Sequence, residues 1–137
     1  MGSTTPPIVR MPSATEGMLV GSLTDPDSKA VADYAQRYQD KYKKKMNGFS
    51  PAFYDATHML FAAMQSAGTV ADSDKVRTAL EQLKDYPGIQ GKLNWGGKAR
   101  YGIDHQVEAP FFISEVKDGQ EVIRARCSVK VCETINR

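Results

Sequence analysis

The sequence predicts an α/β domain in which three main helices pack on a short mixed sheet. One apolar run between glycines, Glu16–Gly21, is suited to a buried strand, and three segments with helical periodicity follow it. Strand-like segments then occupy most of residues 89–131. A strand, three helices and further strands indicate a layered α/β or α+β arrangement, and 137 residues suffice for one domain with its own core.

The central predicted element is a helix over residues 50–67. Ser50 can accept an orphan N–H group, Pro51 suits the first turn, and Gly68 is a natural stop. One apolar face at helical spacing is predicted to point inward: Phe53, Ala56, Leu60, Ala63, Met64 and Ala67. A second face is apolar in bulk with polar tips: Tyr54, Thr57, His58 and Phe61. A helix that is apolar nearly all round is typically buried, so the second face is expected to look into a cleft.

The preceding helix is predicted over residues 28–46, after the turn and capping residues of segment 24–28. Its apolar stripe repeats at helical spacing: Val31, Tyr34, Ala35, Tyr38, Tyr42 and Met46. Acidic residues near its start and lysines near its end match the helix macrodipole. We interpret the lysine run, residues 41 and 43–45, as a solvated helix end rather than an anion site, with Asn47-Gly48 closing the helix.

The last third of the chain predicts one more helix and a set of strands. The helix is expected to begin at Asp72 or Ser73 and to end at Tyr86-Pro87-Gly88. Strands are expected over residues 89–95 and 109–117. Asp118-Gly119 is typical of a two-residue hairpin turn, which leads into a final strand over residues 120–131.

Composition and charge argue against several classes of function. Eighteen basic and sixteen acidic residues give a net charge of +2, too near neutral to favour nucleic acid or an anionic membrane as a partner. No apolar run approaches the roughly 20 residues of a membrane span. Residues 1–15 are predicted to be a flexible lead-in, in which Met1-Gly2-Ser3 is typical of an expression vector and no signal peptide follows.

The sequence offers little chemistry for catalysis. The possible metal ligands, His58, His105, Cys127 and Cys132, fit no compact zinc spacing. A nucleophile elbow and a phosphate-binding glycine loop are both absent from the sequence. We therefore expect no bound metal, no cofactor and no catalytic residues.

The state of the two cysteines stays open at this point. On a continuous strand, Cys127 and Cys132 would point to opposite faces and could not bond. A turn or bulge between them would allow a small-loop disulfide. Free thiols and a disulfide are both compatible with the spacing.

Several segments resemble one protein family, in the order in which that family has them. Glu16–Val20 is similar to an "aegmlv" strand, Tyr34–Tyr42 to an "f…rYkakyg" helix, and Ser50–Gly68 to a "y…YdA…la.Ai..aG" helix. Gly91–Trp95 and Ala109–Gly119 are similar to "G.l.f…g" and "…v.qvkdG" strands. The family is the type I periplasmic solute-binding proteins, the leucine/isoleucine/valine-binding group that feeds ABC transporters.

The resemblance implies a fold of two lobes that close on a ligand, with the chain crossing three times between them. This chain is too short for both lobes, so residues 16–137 are expected to be the C-terminal part of the fold. The implied ligand is a small amino acid or related organic carboxylate, and the implied partners are the membrane subunits of an ABC transporter. The implied location is the periplasm, or an extracytoplasmic, lipid-anchored position in a Gram-positive parent. A disulfide between the cysteines would fit an oxidising periplasm.

Site residues carried over from the resemblance lie at the start of the central helix. Tyr54 matches an aromatic that lines the pocket near the ligand's side chain, and Phe53 takes that role if the register slips by one. Asp55 is expected near the hinge. His58 and Phe61 are assigned to packing.

Two further expectations concern alternative functions and assembly. A ligand-sensing regulatory module on the same fold is the alternative function, and an enzyme is the least favoured class. A partial fold leaves apolar faces uncovered, and such faces favour association. We therefore expect a homo-oligomer.

Overall fold

The structure is a computed structural model that describes residues 11–25, 27–128 and 130–135. Three helices dominate it, as predicted, and two very short helices accompany them. The helices are α1 (Pro12–Thr15), α2 (Lys29–Tyr42), α3 (Ser50–Ala67), α4 (Ser73–Glu81) and α5 (Lys98–Tyr101). The strands are β1 (Leu19–Ser22), β2 (Tyr86–Gly88), β3 (Gly91–Gly96), β4 (Gln106–Glu108), β5 (Phe111–Lys117), β6 (Gln120–Cys127) and β7 (Cys132–Thr134).

The described strands form two separate sheets rather than the single mixed sheet that the sequence suggested. A four-stranded sheet has the order β1-β5-β6-β7, and a three-stranded sheet has the order β2-β3-β4. Every strand pair in these two sheets is antiparallel. The physical reason is connectivity: tight turns join most neighbouring strands, and a tight turn returns the chain antiparallel to itself.

The hairpin between β5 and β6 forms where it was predicted. Asp118 and Gly119 both have positive φ, 52° and 70°, which is the backbone that a two-residue primed turn requires. Lys117 pairs with Gln120 across the turn. The strands continue inward to the buried side chains Phe112, Val116 and Ile123, which form the core on this sheet.

The predicted lead-in over residues 1–15 falls mostly outside the described residues, as does the vector-like Met1-Gly2-Ser3. Within the described part, Pro12–Thr15 form the single turn of α1, and the Thr15 hydroxyl donates to the Met11 carbonyl at 3.0 Å. Thr15 is buried. Met11, Ser13 and Ala14 are exposed, so the expectation of a flexible lead-in stays a prediction.

Two helix ends differ from the prediction. Helix α2 ends at Tyr42 because Lys43 adopts the left-handed region, with φ 54°, and donates its N–H to the Gln39 carbonyl at 2.8 Å. Helix α4 begins at Ser73, capped by the Asp72 carboxylate on the Lys75 N–H at 3.1 Å, and ends at Glu81. The Tyr86-Pro87-Gly88 segment, expected to end that helix, is instead strand β2.

Helix α3 has the predicted bounds but not the predicted inward face. Its buried residues follow one i, i+4 line: Pro51, Asp55, Met59 and Ala63. Phe53, expected inside, is 74% exposed, and Leu60 is also exposed. The helix is therefore buried along one stripe rather than nearly all round. The predicted face was wrong because it counted apolar residues only, whereas the buried stripe includes Asp55, whose hydrogen-bond partners come from residues 89 and 90.

A disulfide joins Cys127 to Cys132. The two residues are a directly opposed pair of β6 and β7, with Cα atoms 3.9 Å apart. A turn separates the strands, in which the Ser128 N–H donates to the Val131 carbonyl at 2.8 Å. The turn decides the question that the sequence left open, since it brings the two side chains to the same face.

Two ion pairs join the four-stranded sheet to the segment between β1 and α2. Arg126 on β6 donates from Nε to the Asp25 carboxylate at 2.9 Å and reaches Asp27 at 3.5 Å. The hydrogen bond to Asp25 raises the pKa of the Arg126 guanidinium above its ordinary value. The segment between β1 and α2 is thereby held against β6.

Candidate functional site

The candidate site is a groove of about 350 Å³ between α2 and α3, which we call the aromatic groove. Its lining combines ring side chains with hydroxyl and amide groups, and none of these residues is Lys, Arg, Asp or Glu: Tyr34, Tyr38, Asn47, Ser50, Phe53, Tyr54, Thr57 and His58. Such a lining suits the apolar or planar part of a small molecule, with a few polar groups to orient it.

Ring contacts run along the wall of the groove. The Tyr34 ring lies 5.1 Å from that of Tyr54 and 6.1 Å from that of Tyr38, centroid to centroid. The Tyr54 ring lies 4.2 Å from the His58 imidazole, which itself lies 6.0 Å from Phe61. The tilted arrangements are those that aromatic quadrupoles favour. These contacts hold the rings in place before any ligand arrives.

Tyrosine hydroxyls supply polar groups at this wall. The Tyr34 hydroxyl donates to the Ser50 carbonyl at 3.4 Å and so links α2 to the start of α3. Burial raises the pKa of Tyr34 above its ordinary value, and the neighbouring hydroxyls of Tyr38 and Tyr42 raise it further. The Tyr34 hydroxyl therefore stays protonated, and able to donate, at neutral pH.

The structure places both predicted ligand residues in this groove. Tyr54 is half-buried among the rings, whereas Phe53 stands at the mouth and is largely exposed. Their ligand role itself stays a prediction. His58, assigned to packing by sequence, lines the same groove.

Sequence reasoning missed the α2 side of the groove. Tyr34 and Tyr38 were assigned only to the apolar stripe of α2, yet both line the groove opposite α3. The signal that could have found them was the unusual repetition of tyrosine at i, i+4 and i+8, positions 34, 38 and 42. A stripe of rings with hydroxyl tips is less suited to a closed core than a stripe of leucines would be.

Asp55 lies beside Tyr54 but faces away from the groove into the protein. It is 2% exposed, and its carboxylate oxygens accept the N–H groups of Ile89 at 2.8 Å and Gln90 at 3.0 Å. These two residues form the turn between β2 and β3. Asp55 thus fixes the start of α3 against that turn, and its expected place near a hinge stays a prediction.

The surroundings of Asp55 are tightly packed. Burial raises the pKa of Tyr86 above its ordinary value, and the charges of Asp55 and Tyr54 raise it further. Gly88 approaches so closely that a Cβ there would lie 2.7 Å from Asp55 Oδ2 and 2.7 Å from Leu93 Cδ1. The turn also contacts the segment that follows β1, because Gln90 Nε2 donates to the Leu23 carbonyl at 2.9 Å.

Two larger grooves lie at the other end of α3. One, of about 530 Å³, is lined by residues 64–71, and the other, of about 540 Å³, lies between α3 and α4. Neither has an aromatic ring or a histidine in its lining. We favour the aromatic groove as the site for its chemistry rather than for its size.

The described residues contain neither a cluster of metal ligands nor a helix suited to crossing a membrane. Among the described residues, no group of three or more His, Cys, Asp or Glu side chains could hold a metal ion. None of the helices in residues 11–25, 27–128 and 130–135 combines the length and apolarity that crossing a bilayer requires.

Known proteins resemble this chain in fold. Against the leucine-binding protein of Thermotoga maritima the identity is 22% and the TM-score 0.67, covering 85% of this chain and 32% of that one. Against a periplasmic binding protein of Burkholderia mallei the identity is 23% and the TM-score 0.71, covering 88% and 34%. Against an R. palustris ABC-transporter solute-binding protein in complex with benzoate the identity is 17% and the TM-score 0.68, covering 90% of this chain and 33% of that one. The chain thus spans about a third of the length of these structures.

A match to a family model identifies the family of this chain. No curated protein matches the chain. The model described as "Periplasmic binding protein" matches residues 2–121, which is most of the chain. This match confirms the expected fold class and the expectation of a binding protein rather than an enzyme, and it implies an extracytoplasmic location. The chain belongs to the periplasmic binding protein family.

Proposed function

We propose that this chain is the C-terminal part of an extracellular solute-binding protein that serves an ABC transporter. The whole protein would reversibly capture a small amino acid or a related organic carboxylate. The observation that carries the proposal is the family match over residues 2–121. The similar structures support the ligand class, since one is named for leucine and another holds benzoate.

In this proposal the aromatic groove supplies one wall of the ligand site. Tyr54 contacts the ligand's side chain from its fixed position between the Tyr34 and His58 rings, and Phe53 covers the mouth. The proposal places the second wall and the groups that hold the ligand's charged ends in the other lobe. Asp55 lies near the hinge and keeps the start of α3 in position when the lobes close.

In this proposal the whole protein has a membrane partner and an extracytoplasmic location. The transporter's membrane subunits receive the loaded protein. The protein works in the periplasm, or as a lipid-anchored protein outside a Gram-positive cell. The Cys127–Cys132 disulfide is consistent with either oxidising compartment.

The test is ligand titration of this chain, first by calorimetry and then by NMR. With leucine, valine or benzoate we expect no binding tighter than about 1 mM, because one wall alone buries little of the ligand. At higher ligand concentration we expect chemical-shift changes confined to the rings of Tyr54, Phe53 and His58. Tyr54→Ala abolishes these changes, whereas Tyr101→Ala, at an exposed tyrosine outside the groove, leaves them intact.

Two results would contradict the proposal. Micromolar affinity in calorimetry would show that this chain holds a complete site by itself. Chemical-shift changes that persist in the Tyr54→Ala variant would exclude the aromatic groove from the ligand site. So would the absence of any shift change at every ligand concentration.

We further propose that the chain self-associates through the exposed face of α3. Phe61 is 57% exposed and Leu60 is exposed beside it. Helix α3 contains no Lys, Arg or Glu, and its only acidic residue, Asp55, is buried, so two copies of the face meet without charge repulsion.

Sedimentation at several concentrations tests this assembly. We expect a concentration-dependent dimer, and we expect Phe61→Ser to weaken it by about tenfold because it removes a large apolar contact. Val70→Ser is the control, since Val70 is an exposed apolar residue, 78% exposed, that lies beyond the end of α3. A wild-type chain that sediments as a monomer throughout would exclude the dimer.

A further inference from the structure

The connection between α2 and α3 concentrates positive charge that the net charge of the chain conceals. Residues 37–49, which we call the basic tip, contain five basic side chains and one acidic side chain. Their net charge is +4, so the rest of the chain carries −2 against the total of +2. The basic side chains are Arg37, Lys41, Lys43, Lys44 and Lys45.

These positive charges are exposed and uncompensated. All five side chains belong to exposed residues. The ion pairs found among the described residues involve other cations, such as Lys29, Lys75 and Arg126, and none involves the basic tip. The field of the basic tip is therefore directed at whatever approaches it from outside.

The basic tip has a defined backbone. Lys43 turns the chain out of α2 through its left-handed conformation. The Asn47 side chain then accepts the Phe49 N–H at 3.0 Å and the Ser50 hydroxyl at 3.1 Å, which fixes the entry into α3. The lysines are thus held together at one end of the helix pair.

Exposed aromatic rings flank the lysines. Tyr42 and Phe49 are 53% and 66% exposed, and the Lys41 ammonium lies 5.3 Å from the Tyr42 ring centroid. Phe53 follows one helical turn after Phe49. Lysines beside exposed aromatic rings are the combination that binds at the interface of an anionic bilayer, where charge meets headgroups and rings enter the boundary region.

We propose that the basic tip docks on an anionic lipid bilayer, with its lysines at the phosphate headgroups and Tyr42 and Phe49 at the interface. An acidic protein face would also attract the lysines. The exposed rings favour the bilayer, because a purely ionic contact would leave them in water. This docking is independent of the proposed ligand and needs no part of the aromatic groove to be occupied.

Vesicle co-sedimentation of the full chain tests the docking. We expect binding to vesicles of equal parts phosphatidylglycerol and phosphatidylcholine, weakening as salt is added, and none to pure phosphatidylcholine. The triple variant Lys43→Gln, Lys44→Gln, Lys45→Gln should lose binding by on the order of 100-fold. Tyr42→Ser with Phe49→Ser should lose on the order of tenfold.

A matched control separates the basic tip from net charge. The triple variant Lys92→Gln, Lys98→Gln, Lys117→Gln makes the same change in net charge at exposed lysines elsewhere and should lose less than about threefold. Circular dichroism confirms that each variant is folded. Equal losses in both triple variants, or no binding to anionic vesicles, would overturn the docking. Binding to polyglutamate but not to vesicles would assign the basic tip to an acidic protein instead.

Discussion

Replacing Asp55 with alanine is expected to lower the free energy of unfolding by about 3 kcal/mol or more. The carboxylate is buried and is the acceptor for two backbone N–H groups, those of Ile89 and Gln90. Alanine leaves both donors without a partner at the β2–β3 turn, and each unsatisfied buried donor costs about 1–3 kcal/mol. The loss also detaches the start of α3 from that turn.

Chemical denaturation followed by circular dichroism measures this change. Asp55→Asn keeps the volume and one acceptor oxygen, so its loss should be smaller than that of alanine. Asp74→Ala is the control, because Asp74 is an exposed carboxylate on α4 and its ion pair with Arg77 is worth less than about 1 kcal/mol. If Asp55→Ala cost no more than Asp74→Ala, the carboxylate would not be holding the turn.

Gly88→Ala is the second large effect, with an expected loss of about 2–3 kcal/mol. The new Cβ would lie 2.7 Å from both Asp55 Oδ2 and Leu93 Cδ1, and neither side chain is free to move because both are buried. Gly21→Ala is the control, since nothing lies within 4 Å of a Cβ at that glycine. Its effect should stay within about 0.5 kcal/mol.

A double-mutant cycle joins the two predictions. In the Asp55→Ala background, Gly88→Ala should cost less than in the wild type, because one of the two clashing groups is gone. The clash with Leu93 remains, so the cost should not vanish. Strict additivity would show that Gly88 and Asp55 act on stability separately, contrary to the packing described here.

Local chemistry made the predicted bounds of α3 and of the β5–β6 turn accurate. Pro51 and Gly68 delimit α3 because helix initiation and termination depend on residues near the helix ends. The expected cap at Ser50 was wrong: Phe49 is the N-cap, without a side-chain hydrogen bond, and the Ser50 hydroxyl accepts the Asn47 N–H at 3.2 Å instead. Asp118-Gly119 gave the β5–β6 hairpin for the same reason. Where one residue broke the local pattern, as Lys43 does in ending α2 early, the boundary moved.

The inward face of α3 could not be predicted from periodicity. The prediction from periodicity considered apolar residues only. It therefore placed Phe53 on the inward face and gave Asp55 no packing role. In the structure the carboxylate is buried because its partners come from residues 89 and 90, more than thirty positions away. A buried polar group is stable only when its hydrogen-bond partners are present, and those partners are invisible to a single helical window.

Only the α3 side of the aromatic groove was predicted from the sequence. Tyr54 and Phe53 came from the family resemblance, whereas Tyr34 and Tyr38 belong to another helix whose packing against α3 depends on tertiary contacts. His58 was assigned to packing because it lies one helical turn deeper than Tyr54, although its helical face was expected to look into a cleft. Its stacking on Tyr54 places it in the groove wall.

The Cys127–Cys132 bond lies beyond residues 2–121, the range that the family model matches. It joins two residues that face each other across β6 and β7, so it fixes the alignment of these strands covalently. A slip of one position would turn every β7 side chain to the opposite face of the sheet, and the bond forbids it. All three β7 residues are exposed, so this outer strand keeps its alignment without a buried anchor of its own. Its remaining positions, Glu133 and Thr134, can therefore vary in sequence without shifting the strand.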